Sequence, residues 1–183
     1  MRLIAFILAA FVIASPAAAQ SWKEYRYSSD SFGVSFPAEP KVESTMYQAP
    51  NGKMVGARVY SVNEDGAVLS MTIADFSDSG LEEDAVIGYA IKSLSANGAV
   101  KLDIPHRISA VYGRQLSIAG KDGSHSSVAV FFYKKRLYQI EGKALPNGDT
   151  ADAIRFQQSL IFTDRQSNRS LGGRVVELVN RLF

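Results

Sequence analysis

The sequence predicts an α+β domain with a mostly antiparallel sheet, preceded by a cleaved signal peptide. Three observations lead to this expectation. Between Trp22 and Ala144, short runs with strand-like alternation are separated by turn-forming clusters. Two other segments repeat apolar residues at helical spacing. Finally, Val128–Tyr133 is apolar on both faces, so it must be covered on both sides and belongs inside a sheet.

The first 19 residues have the pattern of a secretory signal peptide. Arg2 supplies a positive start, and residues 3–14 are all apolar. This run of 12 residues is shorter than the roughly 20 that span a bilayer, so it does not predict a membrane helix. Ala17 and Ala19 fit an A-x-A cleavage site. We therefore expect cleavage after Ala19, a mature chain that starts at Gln20, and a periplasmic location.

Composition narrows the class of protein further. The chain has 183 residues, no cysteine and a formal net charge of +2. An exported chain without disulfides depends on packing alone, which suits a bacterial periplasm, and lipid attachment would need a cysteine at the cleavage point. The weak charge predicts no nucleic-acid partner and no strong attraction to anionic lipid. We expect one domain that is free in solution, with no membrane span.

The first half of the mature chain predicts five strands. Trp22–Tyr27 and Phe32–Phe36 are expected to form a hairpin, because the polar segment 28–30 separates them. The strands that follow are expected at Lys41–Gln48, Met54–Val62 and Val68–Phe76.

A helix is predicted over Leu81–Ala96, where apolar residues recur at helical spacing. Ser79 and Glu82 fit a capping box, in which each side chain bonds a free backbone N–H of the first turn. Asn97 and Gly98 supply the expected stop.

The second half predicts four more strands and a second helix. The helix is expected over Thr150–Leu160, capped by Asp149. Pro105 is expected to bend the connection between the first two of these strands. The predicted strands are Ala99–Ile104, Ile108–Ala119, Ser126–Lys134 and Leu137–Ala144.

The C-terminal residues 164–183 are predicted to be a polar linker followed by a short amphipathic helix, Arg174–Phe183. This gives three segments: the signal peptide 1–19, the domain 20–163 and the tail. The apolar stripe could dock on its own domain, bind a partner, or make weak contact with a membrane surface. Its members are Val175, Leu178, Val179 and Leu182.

Two regions of the mature sequence resemble PsbP-like domains. Tyr25–Tyr27 followed by Phe32–Pro37 is similar to the start of these domains. Arg136–Ile140, leading into a helix with Phe156, Ser159, Leu160 and Phe162, is similar to their end. The group includes the PsbP subunit of photosystem II and a Ran-binding nuclear import factor. The resemblance implies a central antiparallel sheet with helices on both faces, an α/β/α sandwich. It also implies a binding or assembly module, with no shared catalytic residues.

No residue pattern predicts catalysis. Asp122–Ser126 brings aspartate, histidine and serine together, but a triad is set by fold geometry, and no G-x-S-x-G motif accompanies it. Asp103 and His106 flank Pro105 without an H-E-x-x-H motif or a cysteine pair. We therefore expect no enzymatic activity, no cofactor and no metal site.

The sequence predicts an exported, non-enzymatic binding or assembly module that contacts a protein partner in the cell envelope or a small ligand. The candidate contact residues are the C-terminal stripe and a basic hairpin tip made of Lys134, Lys135 and Arg136. One alternative is an enzyme or ligand-binding protein with a pocket between sheet and helix, lined by Tyr60, Tyr89 or Tyr133. Another is a structural component of an envelope complex that docks through its C-terminal helix.

The cleavage site gives the first testable prediction. Mass spectrometry of the protein recovered from the periplasm should show Gln20 as the first residue. Ala19→Leu should leave the precursor uncut, because the position before the cut requires a small side chain. Ala14→Leu, inside the apolar run, is the matched control and should still be processed. An intact Met1 in the exported wild-type protein would contradict the prediction.

Overall fold

The computed structural model describes residues 22–96 and 98–164, which form strands, two helices and a short 3-10 turn, Ser28–Asp30. The helices are α1, Glu83–Ser95, and α2, Thr150–Gln158. The strands are β1 Lys23–Tyr27, β2 Phe32–Phe36, β3 Lys41–Gln48, β4 Met54–Glu64, β5 Ala67–Asp75, β6 Gly98–Ile108, β7 Val111–Gly120, β8 His125–Tyr133, β9 Arg136–Ala144 and β10 Ile161–Phe162.

Seven strands form one sheet in the order β3-β4-β5-β9-β8-β7-β6. Each neighbouring pair in it is antiparallel. A second sheet has the order β1-β2-β10 and is also antiparallel. The prediction of an α+β fold with a mostly antiparallel sheet is therefore confirmed, as is the hairpin of β1 and β2.

Strand β8 is buried on both of its faces. Val128 belongs to a core cluster that contains Val86 of α1, whereas its neighbour Ala129 belongs to a cluster that contains Phe156 of α2. Successive side chains of a strand point to opposite faces, so the two helices contact opposite faces of β8. The prediction that Val128–Tyr133 lies inside a sheet is confirmed, since β8 lies between β9 and β7.

The predicted capping box of the first helix is wrong. Helix α1 begins at Glu83, and its N-cap Glu82 makes no side-chain hydrogen bond. Ser79 lies outside the helix, where its Oγ accepts from the N–H of Leu81 at 3.1 Å and donates to the carbonyl oxygen of Phe76 at 2.7 Å. A serine hydroxyl can bond local backbone groups in a turn as well as at a helix end, so the spacing was ambiguous.

The expected bend at Pro105 is also wrong. Strand β6 continues through Pro105 to Ile108, and the chain turns at Ser109 and Ala110, which have φ values of 49° and 66°. β6 is an edge strand, so the N–H that proline lacks can face away from the ladder at no cost.

Two other local predictions are confirmed. The Oδ1 of Asp149 accepts from the N–H of Ala151 at 2.8 Å and so caps α2. Lys134 and Lys135 form the turn between β8 and β9 with φ values of 51° and 57°, while Arg136 is the first residue of β9.

Some predictions fall on residues that the structure does not describe. These are the signal peptide 1–19, Asn97 in the helix stop, and the C-terminal stripe of Val175, Leu178, Val179 and Leu182. Within the described ranges, no helix is long and apolar enough to cross a membrane.

The packing of α2 on β9 depends on Gly142. A Cβ atom there would lie 2.2 Å from the carbonyl oxygen of Ala153 in α2. Gly142→Ala should therefore lower the free energy of unfolding, measured in urea, by about 1–3 kcal/mol, because strand and helix must separate. Gly88→Ala in α1 is the control: its Cβ would meet nothing within 4 Å, and we expect stabilisation of up to about 1 kcal/mol. Equal losses at the two sites would contradict this account.

Candidate functional site

A buried carboxylate lies where the small sheet meets the large one. Asp30 ends the 3-10 turn that connects β1 to β2, and its exposed fraction is 0%. The turn is closed by the N–H of Ser31, which donates to the carbonyl oxygen of Ser28 at 3.2 Å. Ser31 has a φ of 58°, so the chain reverses within one residue and enters β2. This reversal aims the Asp30 side chain at the face of the large sheet.

Side chains of the large sheet surround this carboxylate. The Nε of Arg58 donates to Oδ2 at 2.8 Å, and its Nη2 donates to Oδ1. The hydroxyl of Tyr60 donates to Oδ2 at 2.5 Å, and the Nη1 of Arg136 lies 3.6 Å from Oδ1. The hydroxyl of Tyr138 donates to the backbone carbonyl of Asp30 at 2.9 Å. Arg58 and Tyr60 can both reach the turn because they are two residues apart on β4 and point to the same face.

The electrostatics of this cluster keep Asp30 charged. Burial by itself would raise the pKa of the Asp30 carboxyl, but the hydrogen bonds from Arg58 and Tyr60 and the nearby positive charges outweigh it and lower the pKa. Burial and the contact with Asp30 raise the pKa of Tyr60. Burial also raises the pKa of Tyr138 to about 12. At neutral pH the cluster therefore holds one carboxylate, two guanidinium groups and two neutral phenols.

The cluster forms one wall of an open groove of about 320 Å³. The groove has room partly because residue 56 is glycine, where a Cβ would meet nothing within 4 Å. Arg58 is held on Asp30 by one edge of its guanidinium, and its side chain is still 44% exposed. The other lining residues come from β3, β4, β5 and the start of β9: Ser44, Thr45, Ala57, Ile73, Asp75 and Arg136.

Arg136 connects the groove to the basic tip. Its Nη1 donates to the carbonyl oxygen of Ser29 at 2.9 Å, and its Nε lies 3.6 Å from the Oδ2 of Asp75. Two guanidinium groups, those of Arg58 and Arg136, are therefore held in place at one groove. Fixed guanidinium groups recognise carboxylates well, because their N–H donors match the geometry of the two oxygens.

The other two residues of the predicted basic tip also have acidic neighbours. Lys134 forms an ion pair with Asp164, which also accepts from the hydroxyl of Tyr133 at 3.1 Å. The Nζ of Lys135 lies 3.7 Å from the Oε1 of Glu82. Both lysine side chains are more than half exposed. The structure thus brings Arg136 into the groove and leaves the two lysines beside it.

Exposed apolar residues of β3 and β4 lie on the same face of the sheet as the groove. In the register of β3 with β4, Ser44 is opposite Arg58 and Met46 is opposite Gly56. Met46 is 55% exposed, and Met54 at the start of β4 is 52% exposed. The surface therefore combines fixed guanidinium groups with adaptable apolar contacts.

The tyrosines predicted to line a pocket lie in different places. Tyr60 is buried on Asp30, the hydroxyl of Tyr89 donates to Gln48 at 3.2 Å, and the hydroxyl of Tyr133 donates to Asp164.

The residues considered for catalysis or metal binding also have structural contacts. The Oγ of Ser124 donates to Asp122 at 2.5 Å, and the ring of His106 lies 5.6 Å from that of Phe131. Among the described residues, no group of three histidine or acidic side chains could hold a metal ion.

The sequence alone does not identify Asp30 and Arg58 as members of a site. It predicts Asp30 only in a hairpin turn, which is a common position for aspartate. One signal was present: Arg58 is a charged residue inside a strand, two positions before Tyr60 on the same face. Its partner is 28 residues away, so no local pattern could identify it.

Comparison with known proteins identifies the fold of the chain. No protein-family model matches the chain, and no curated protein matches it. The solution structure of cyanobacterial PsbP (CyanoP) from Synechocystis sp. PCC 6803 matches with a TM-score of 0.52 and 13% identity, covering 81% of this chain and 96% of that one. A Pseudomonas aeruginosa protein of unknown function matches with a TM-score of 0.35 and 11% identity, over 68% and 83% of the two chains. The match to cyanobacterial PsbP shows that the described chain has a PsbP-like fold.

Removing one partner of the buried ion pair should destabilise the protein more than removing the other. Arg58→Leu should lower the free energy of unfolding in urea at pH 7 by about 3–5 kcal/mol, because it removes the main cation from a buried charge. Asp30→Asn should cost less, about 1.5–3 kcal/mol, because the half-exposed arginine stays solvated. Arg114→Leu, which breaks the surface pair with Asp103, is the control and should cost at most about 1 kcal/mol.

The acid dependence of the same variants tests the charge state. The pKa of Asp30 is lower in the folded protein than the unfolded value of about 3.9. Its contribution to stability is therefore complete above that pH and is lost as the pH falls through the folded-state pKa. The stability of Asp30→Asn should fall less steeply than that of the wild type between about pH 4 and pH 2. Parallel acid profiles would contradict a charged Asp30.

Proposed function

We propose that this protein is an exported, non-enzymatic binding module that contacts an acidic segment of a protein partner in the periplasm. The groove beside Asp30 is the contact site. The observation that carries the proposal is the pair of guanidinium groups, Arg58 and Arg136, held by buried and backbone acceptors at one open groove. Because both are already fixed, little side-chain entropy is lost when a carboxylate binds there.

The export part of the proposal comes from the sequence. It rests on the signal-peptide pattern of residues 1–19 and on the absence of cysteine from the chain. The proposed architecture is the layered α/β/α sandwich, which the contacts of α1 and α2 with alternate residues of β8 support. The domains that this sequence resembles are binding or assembly modules.

The protonation states at the groove favour binding over proton transfer. A general acid or base works best with a pKa near the working pH. Here the pKa of the carboxyl group is lowered, and those of both phenols are raised, so all three move away from neutrality. The cluster holds its charges constant, as a recognition surface requires.

The surroundings indicate the form of the partner. Strand β3 is an edge of the large sheet, and an edge strand offers backbone donors and acceptors to an extended segment. An acidic side chain of such a segment would extend over β3 towards Arg58 on the adjacent strand β4, while apolar neighbours would contact Met46 and Met54. The two lysines of the basic tip would add a weaker, salt-sensitive attraction.

Affinity capture from the native periplasm with a pair of matched variants tests this proposal. Gly56→Leu should partly fill the groove, and the backbone there has space for the added Cβ, which would meet nothing within 4 Å. Gly88→Leu on α1 adds the same side chain where the space is also open. A partner identified by mass spectrometry should bind wild type and Gly88→Leu alike, and should be depleted at least tenfold with Gly56→Leu.

A change in salt concentration and a change in the charge of the groove test whether the contact is electrostatic. Raising the salt from 50 to 500 mM should weaken capture by the wild type, because the contact depends on charge. Arg136→Gln should reduce binding while thermal unfolding shows that the domain remains folded. If every captured protein binds Gly56→Leu as well as it binds the wild type, the groove is not the contact site.

A further inference from the structure

Within residues 22–96 and 98–164, no element covers one part of the large sheet on the face that carries α2. Helix α2 packs on β8 and β9, and the next two strands outward are β7 and β6. On β6, Leu102 is 39% exposed and Ile104 is 41% exposed. Their partners in β7 are the smaller or polar residues Ser117 and Gln115.

The register places these apolar residues on the α2 face. Leu102 is opposite Ser117, which is opposite Ser127 of β8, and directly paired residues point to the same side. The Oγ of Ser127 donates to the Oε1 of Gln157 in α2 at 3.4 Å, so this row of residues faces the helix. Ile154 lies three residues before Gln157, on the same side of α2, and is 42% exposed. Leu102, Ile104 and Ile154 thus border a shallow trough beside α2.

The trough has the dimensions of one short helix. Two strands at a spacing of about 4.8 Å give a width of about 10 Å, which is the diameter of a helix with its side chains. From Leu102 to Ile108 the strand extends about 20 Å, and a ten-residue helix is about 15 Å long.

The chain leaves the described domain at one end of this trough. The ring of Phe162 lies 5.6 Å from that of Phe131, which is opposite Gly113 of β7. Gly113 is in turn opposite His106 of β6. The nine residues 165–173 can extend up to about 30 Å, enough to reach any point of the trough from Asp164.

We propose that the C-terminal segment Arg174–Phe183 occupies this trough and covers β6 and β7. Its length fits the trough. The apolar stripe in its sequence supplies a surface against which the exposed side chains of Leu102, Ile104 and Ile154 can pack. The Nε2 of the fully buried Gln157 has no hydrogen-bond partner among the described residues, so the segment could also supply an acceptor there. The stripe residues are Val175, Leu178, Val179 and Leu182.

A cysteine-pair experiment tests the docking, and the chain is suited to it because it has no cysteine. The full chain carrying Ile104→Cys and Leu178→Cys is incubated with oxidised glutathione, and the intramolecular disulfide is followed by mass spectrometry. The control pair is Tyr112→Cys with Leu178→Cys. Tyr112 is 65% exposed and is paired with Arg107, on the opposite face of the same hairpin.

The Ile104 pair should form its disulfide at least tenfold faster than the Tyr112 pair. Leu102→Cys replaces Ile104→Cys if the latter destabilises the domain. Equal rates for the two pairs would overturn the proposal, because they would mean that the segment samples both faces without docking. A product that is mainly a disulfide-linked dimer would also overturn it, by assigning the trough to a second copy of the chain.

Discussion

The contact between Asp30 and Arg58 connects the two sheets. A buried carboxylate is strongly unfavourable unless it is paired and fully hydrogen-bonded, so the 3-10 turn can lie against the large sheet only where Arg58 and Tyr60 meet it. Tyr138 adds a bond to the backbone of the same turn. Because these donors come from β4 and β9, the small sheet has one position relative to the large one. The shape of the groove follows from that position.

A structural feature can be predicted from the sequence when the residues that determine it are close together in the chain. The strands of the first half and the Asp149 cap depend on local alternation and local hydrogen bonds, and both were predicted from the residues. The Ser79 capping box failed because one serine hydroxyl satisfies either a turn or a helix end. Pro105 was misassigned because only the order of strands shows that β6 is an edge. Asp30 and Arg58 were missed because their pairing joins distant segments of the chain.

At the groove, each positively charged side chain lies beside a negatively charged one. Arg58 and Arg136 face Asp30 and Asp75, so the formal charges of these four groups cancel. These four groups therefore contribute little net charge that could attract ions from a distance. The neighbouring Lys134 and Lys135 are more exposed, and each of them also lies beside an acidic side chain.

The two edges of the large sheet differ in their capacity to accept another strand. β6 carries Pro105 and a break in register between Val100 and Leu102, two devices by which natural sheets block uncontrolled growth. β3 pairs with β4 in unbroken register from Lys41 to Gln48 and ends the sheet with a regular edge. The large sheet can therefore add a single strand, or pair edge to edge with one copy of the chain, at β3. Pro105 and the register break oppose further strand addition at its other edge, β6.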